Sequence, residues 1–207
     1  MTNLARPLTV LDLGGIEIDQ FASLSPFFST VEQITTVMAR DADLAAFKGE
    51  INRALDSASS RWVVILRQRE TISPALAREI SDAATEGPRA WGFRIRTELR
   101  YCGRHLLLKR QDDGEIRLVH TRHSRFELKK ESREMKVEGT VLRLSSPLEL
   151  ATFSSEAEHR AHLSRQRRAR SFPFRLARFV VILIANGGAV RSAPTLRYLW
   201  IEAGFES

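Results

Sequence analysis

Trp91–Arg100 (WGFRIRTELR) alternates apolar and basic side chains, and this period of two decides the fold class. Trp91, Phe93, Ile95 and Leu99 fall on one side of a strand, and Arg94, Arg96 and Arg100 on the other. Such alternation describes a strand that is buried on one face and wet on the other, as in an antiparallel sheet. Downstream, Arg104–His120 (RHLLLKRQDDGEIRLVH) carries Asp113-Gly114, a dipeptide suited to a tight turn with positive φ. Phe126–Lys130 and Met135–Leu144 add further strand-like runs. Together they predict a mainly antiparallel sheet of about five strands in an α+β chain.

Upstream the pattern is helical. Residues 1 to 24 hold Pro7 and Gly14-Gly15 and lack helical periodicity, so they read as an extended arm or edge strand. Ser29-Thr-Val-Glu32 has capping-box spacing. Ile34, Val37 and Met38, then Leu44, Phe47, Ile51 and Leu55, follow at helical intervals and predict N-terminal helices. Trp62–Gln68 (WVVILRQ) reads as a buried strand. Ser73-Pro74 opens a helix that Gly87-Pro88 closes.

After Ser145-Ser-Pro147 the chain turns helical again, with a second capping-box spacing at Ser155-Glu-Ala-Glu158. Phe172-Pro173 interrupts that helix, an apolar helix runs from Phe174 to Ala185, and a last short one passes through Tyr198 and Trp200. The expected organisation is an α+β domain over 1–150 and a basic helical subdomain over 151–207. Arg175–Trp200 resembles the opening of a winged-helix DNA-binding domain of the response-regulator type, with Asn186, Gly188, Val190, Ser192 and Leu196 at matching positions. Gly187 replaces that family's proline, and Pro194 lies where acidic helix starters are common. The likeness is confined to this stretch and assigns no family.

The chain of 207 residues has 32 Lys and Arg against 25 Asp and Glu, a formal net charge of +7. That excess favours an acidic counterpart: nucleic acid, an anionic surface or an acidic protein. Cys102 is the only cysteine, so an intrachain disulfide and a thiolate zinc cluster are excluded. The start of the chain lacks the layout of a secretory signal, and the Phe179–Ala185 run is too short to span a bilayer. A cytoplasmic location is expected, without stable membrane insertion.

The charge is concentrated. Arg160, Arg165, Arg167, Arg168, Arg170 and Arg175 crowd one segment, behind Glu156 and Glu158. Acids early and bases late suit a helix dipole, and a solvated face would account for part of the pattern. Arginine also grips phosphate with two parallel N–H donors, and each neutralised phosphate releases counterions. These six arginines are therefore the candidate phosphate contacts. Arg94, Arg96, Arg100 and Arg117 form a second basic set on the sheet, read as its solvated face because no aromatic platform for bases accompanies them.

The remaining motifs are weaker. His120-x-x-His123 in a strand would put its rings on opposite faces. His159 and His162, three apart on a helix, share a side and Glu158 adjoins them, but a further ligand is lacking, and Glu156-Ala-Glu158 is an isolated acidic pair. Cys102 and His105 lack a third orienting group. No P-loop, dinucleotide fingerprint or nucleophile elbow occurs. The expectation is thus non-enzymatic nucleic-acid binding, DNA or RNA, of a regulatory kind, with no cofactor and no metal. The alternatives are an adaptor docking an acidic protein and an enzyme with a dispersed site. The apolar C-terminal helix is a candidate surface for homo-oligomers.

Overall fold

A computed structural model describes residues 6–14, 16–36, 44–85, 90–106, 114–128, 133–166 and 198–201. In chain order the elements are β1 (Leu8–Asp12), β2 (Val31–Thr35), α1 (Leu44–Ser57), β3 (Trp62–Leu66), β4 (Glu70–Ile72), α2 (Pro74–Thr85), β5 (Gly92–Ile95), β6 (Thr97–Tyr101), β7 (Arg104–His105), β8 (Glu115–His120), β9 (Ser124–Leu128), β10 (Arg133–Val137), β11 (Val141–Arg143), β12 (Leu148–Phe153) and α3 (Glu156–Gln166). The chain forms two compact units, one of residues 1–97 and 113–149, the other of residues 98–112 and 150–207.

The first unit is built on a six-stranded sheet in the order β11-β5-β8-β3-β1-β2. β1 pairs in parallel with both neighbours, Val10 lying opposite Gln33 of β2 and Val64 of β3. β8 runs antiparallel between β3 and β5, and β11 is parallel to β5. The sheet is therefore mixed, which corrects the expectation of a mainly antiparallel one. The reason lies in the N-terminal segment. Leu8–Asp12, expected in an arm or edge strand, is buried throughout and lies inside the sheet.

Val31–Thr35, expected as the first turns of a helix, is likewise a strand. The Glu32 carboxylate does not cap a helix. It accepts from the Ser59 amide (3.1 Å), the Ser59 hydroxyl (2.7 Å) and the Thr9 hydroxyl (3.0 Å), and the Ser59 bonds lower its pKa. Pairing with β1 overrides a weak local preference. The second half of the predicted helical region is α1, and its Phe47, Ile51 and Leu55 are buried as their spacing predicts.

Both faces of the sheet are covered, so β3 is apolar at every position rather than alternating. Trp62, Val64 and Leu66 face α2, whose Leu76, Ala77, Ile80 and Ala84 are buried with Leu8, Val10, Phe93, Ile95 and Leu118. Val63 and Ile65 face α1, packing with Phe47, Ile51 and Leu55 and with Phe126 and Met135 of the β9–β10 hairpin. Each fully buried Leu or Ile contributes about 1.5–3 kcal/mol. Ser73 caps α2, its hydroxyl accepting from the Leu76 amide at 3.2 Å.

In the second unit, β6 and β7 form a hairpin turning at Cys102 (φ 48°) and Gly103 (φ 74°). β12 corrects the expectation that the chain turns helical directly after Ser145-Ser-Pro147, since Leu148–Phe153 is a strand. Thr152 donates to the Arg100 carbonyl (2.8 Å), and the Phe153 carbonyl accepts from the Cys102 amide (2.9 Å). α3 starts as predicted, the Glu158 amide donating to the Ser155 hydroxyl at 3.1 Å. Tyr198–Ile201 is helical. Gly87-Pro88, Asp113, the Phe174–Ala185 helix and the winged-helix-like turn lie outside the described residues. Among the described residues no helix is long and apolar enough to cross a membrane.

Candidate functional site

Of the predicted phosphate contacts, Arg160 is partly buried and pairs with Glu156 one turn earlier, at 3.8 Å. Arg165 belongs to α3, while Arg167, Arg168, Arg170 and Arg175 lie outside the described residues. His159 is wholly buried, stacked on Phe153 at 4.3 Å and on Tyr198 at 5.2 Å, a core role rather than a ligand's. Burial, with Glu156 nearby, raises the Cys102 thiol pKa, opposite to what a nucleophile needs. His105 is engaged instead with Glu98 (3.5 Å) and Arg100 (3.2 Å). Among the described residues no group of three His, Cys, Asp or Glu could hold a metal.

The sheet arginines do not form one solvated face. Arg117 is 2% exposed and donates to both oxygens of the buried Glu70, at 2.8 and 3.2 Å. It belongs to the end of the sheet where β1 and β3 finish, the switch point at which open α/β sheets usually receive ligands. There the polar groups serve one another. Asp12 is wholly buried and accepts from the amides of Gly14 (2.9 Å) and Ile16 (3.0 Å), from Gln33 (3.3 Å) and from the Thr35 hydroxyl (3.2 Å). Glu70 also accepts from the Arg67 amide (2.8 Å), across a turn in which Arg69 takes a left-handed φ of 67°. The Arg67 side chain grips Glu115 with two bonds, at 3.1 and 2.6 Å.

The opposite end of the same sheet differs. Arg6 precedes β1, Arg61 precedes β3 and Trp91 precedes β5, while antiparallel β8 ends there at His120. The ladder continues into these positions: the Trp91 carbonyl accepts from the His120 amide and the Arg61 carbonyl from the Thr121 amide, both at 2.9 Å. β8 stops at His120, and Thr121–His123 forms one 3₁₀ turn. The strand-based expectation that the two histidines face apart is thereby corrected, since their ring centroids are 5.1 Å apart.

These residues, with Arg122, Trp62 and Ala84, line a cleft of about 260 Å³. His123 stacks on Trp91 with centroids 3.9 Å apart and planes at 27°. His120 stands edge-on to Trp91 (5.0 Å) and Trp62 (5.3 Å). Gly139 keeps Trp91 in place: its φ is +120°, and a Cβ there would lie 2.4 Å from the indole Cδ1. The His120 Nδ1 accepts from the Arg122 amide at 3.3 Å, so in the neutral ring Nε2 carries the proton. Burial, then the charges of His123, Arg61 and Arg122, push the His120 pKa below its ordinary value. Arg6 donates to the Ala84 carbonyl at 3.3 Å. None of the guanidinium groups of Arg6, Arg61 and Arg122 is paired with a carboxylate among the described residues.

The cleft was not read from the sequence because its residues are singletons spread from position 6 to position 123. A usable signal was present: basic and aromatic residues abut strand ends at Arg61-Trp62, at Trp91 and at His120–His123. No protein-family model matches the chain, and no curated protein matches it at a significant level.

Proposed function

We propose that the protein is a non-enzymatic nucleic-acid-binding protein acting in the cytoplasm, with a regulatory role. The observation that carries this reading is one cleft lined by three arginines without a carboxylate partner among the described residues and by a stacked indole–imidazole pair. Guanidinium donors suit phosphate oxygens, and flat rings suit bases that are not already stacked in a duplex. Single-stranded nucleic acid offers both together. The arginines from Arg160 to Arg175 are a separate set of candidate contacts, of the kind that depend on salt rather than on base identity.

An acidic protein partner would use the same arginines but not the rings, which makes Trp91 the discriminating residue. Binding of single-stranded DNA and RNA, followed by anisotropy over a range of salt, tests the reading. A falling log–log salt dependence, with affinity lost in Trp91→Ala as well as in Arg61→Ala/Arg122→Ala, is expected. Retention of full affinity in both variants contradicts it.

A further inference from the structure

The dimensions and charge of the cleft select among nucleic-acid ligands. Ligand pockets commonly run to roughly 300–1,000 Å³, so about 260 Å³ stands at the small end, suited to one nucleotide. Arg6, Arg61 and Arg122 line that space together with the stacked rings of Trp91 and His123. An internal phosphodiester brings one negative charge, and its chain must enter and leave. A terminal phosphate monoester carries about −1.5 to −2 at pH 7 and offers three oxygens to donors. It balances clustered guanidinium charge better, and it needs only one opening. We infer that the cleft takes a nucleoside bearing a terminal phosphate monoester, the base against the Trp91–His123 pair and the phosphate among the arginines.

Two further observations agree with this. Burial, then His123, Arg61 and Arg122, hold the His120 pKa down, which is the direction that positive charge beside the cleft gives. Arg6 spends one donor on the Ala84 carbonyl, which orients its guanidinium and leaves other N–H groups for an anion. The same chemistry has two sources, a free mononucleotide and the 5′-phosphorylated end of a strand.

The inference rests on the nucleic-acid reading above, and calorimetric titration of the full chain separates the two. The probes are a 5′-phosphorylated hexanucleotide, the same hexanucleotide with a 5′-hydroxyl, adenosine 5′-monophosphate, adenosine and inorganic phosphate. The monoester is expected to bind at least tenfold tighter than its 5′-hydroxyl counterpart, and Arg61→Ala/Arg122→Ala is expected to erase that ratio. Equal affinity of the mononucleotide and the phosphorylated strand assigns the site to a nucleotide-sized ligand, and a tighter strand assigns it to a chain end. Both results support the monoester. Equal binding of the two hexanucleotides overturns the inference and leaves nucleic-acid binding standing. Inorganic phosphate matching the mononucleotide overturns the role of the base. No binding by any probe overturns the parent reading together with the inference. A circular dichroism spectrum unchanged from wild type shows that the variant folds.

Discussion

The two ends of the central sheet use their charge in opposite ways. At the carboxyl ends of β1 and β3, Asp12, Glu70, Arg117, Arg67 and Glu115 bind one another or nearby backbone amides, mostly out of water. At the amino ends, Arg6, Arg61 and Arg122 surround a cleft with no carboxylate partner among the described residues. A switch-point crevice is the usual ligand position in open α/β sheets, yet here most of the donors and acceptors, the buried Arg117 Nε excepted, are already spent on structure. Recognition needs polar groups that the fold has not consumed, and these lie at the other end.

The largest effect is expected where charge is spent internally. Arg117→Met strands Glu70, which is 3% exposed, without a counterion and is expected to cost about 3–5 kcal/mol in urea denaturation. The double substitution Arg117→Met/Glu70→Leu removes both charges and is expected to recover most of that loss. If the single substitution leaves stability unchanged, the self-satisfied description of that end is wrong.

A smaller stability effect tests the scaffold of the cleft. Gly139→Ala forces a Cβ against Trp91 at a positive φ, and a loss of about 1–3 kcal/mol is expected from strain and overpacking. Nucleic-acid affinity should fall with it. Undiminished affinity would mean that the position of Trp91 is irrelevant to the ligand.

At the amino end the expectation reverses. Arg61→Ala/Arg122→Ala should leave stability within about 0.5 kcal/mol of wild type, because both side chains are exposed. The same substitution should weaken nucleic-acid binding roughly a hundredfold, at about 1.5 kcal/mol per charge-assisted contact. The log–log salt slope should shrink by about 2. Loss of stability without loss of affinity would exchange the roles assigned to the two ends.

The smallest effect is a pH dependence. The folded state depresses the His120 pKa, so below about pH 6.5 the unfolded chain takes up this proton more readily than the native one. Stability from this group is complete above that range and declines as pH falls through it. An anion in the cleft favours the imidazolium and should raise the His120 pKa, which NMR titration with and without nucleotide would detect. His120→Gln should flatten the acid limb of the stability curve.

Much of the fold was legible from local pattern. α1, α2 and β3 follow from periodicity, the Ser73 cap and a β-branched run, all encoded within a dozen or so neighbouring residues. β1 and β2 were not legible, because parallel pairing is a long-range property. Leu8–Asp12 reads like any short apolar run, and Ser29–Glu32 mimics a helix start although Glu32 is used 27 residues away at Ser59. The candidate site failed for a related reason. His120 and His123 were read with a strand's period, but the strand ends between them, and their partners come from positions far apart in the chain.

The most direct measurement is intrinsic fluorescence during titration with single-stranded oligonucleotide and, at matched charge, with inorganic polyphosphate. Trp62 and Trp91 both line the cleft, so a base stacking there should quench their emission, and the quenching should disappear in Trp91→Phe/Trp62→Phe while folding is retained. Polyphosphate should bind more weakly and leave emission nearly unchanged. Equal affinity for both polymers, with no quenching by either, would contradict base recognition in the cleft and leave only a basic surface.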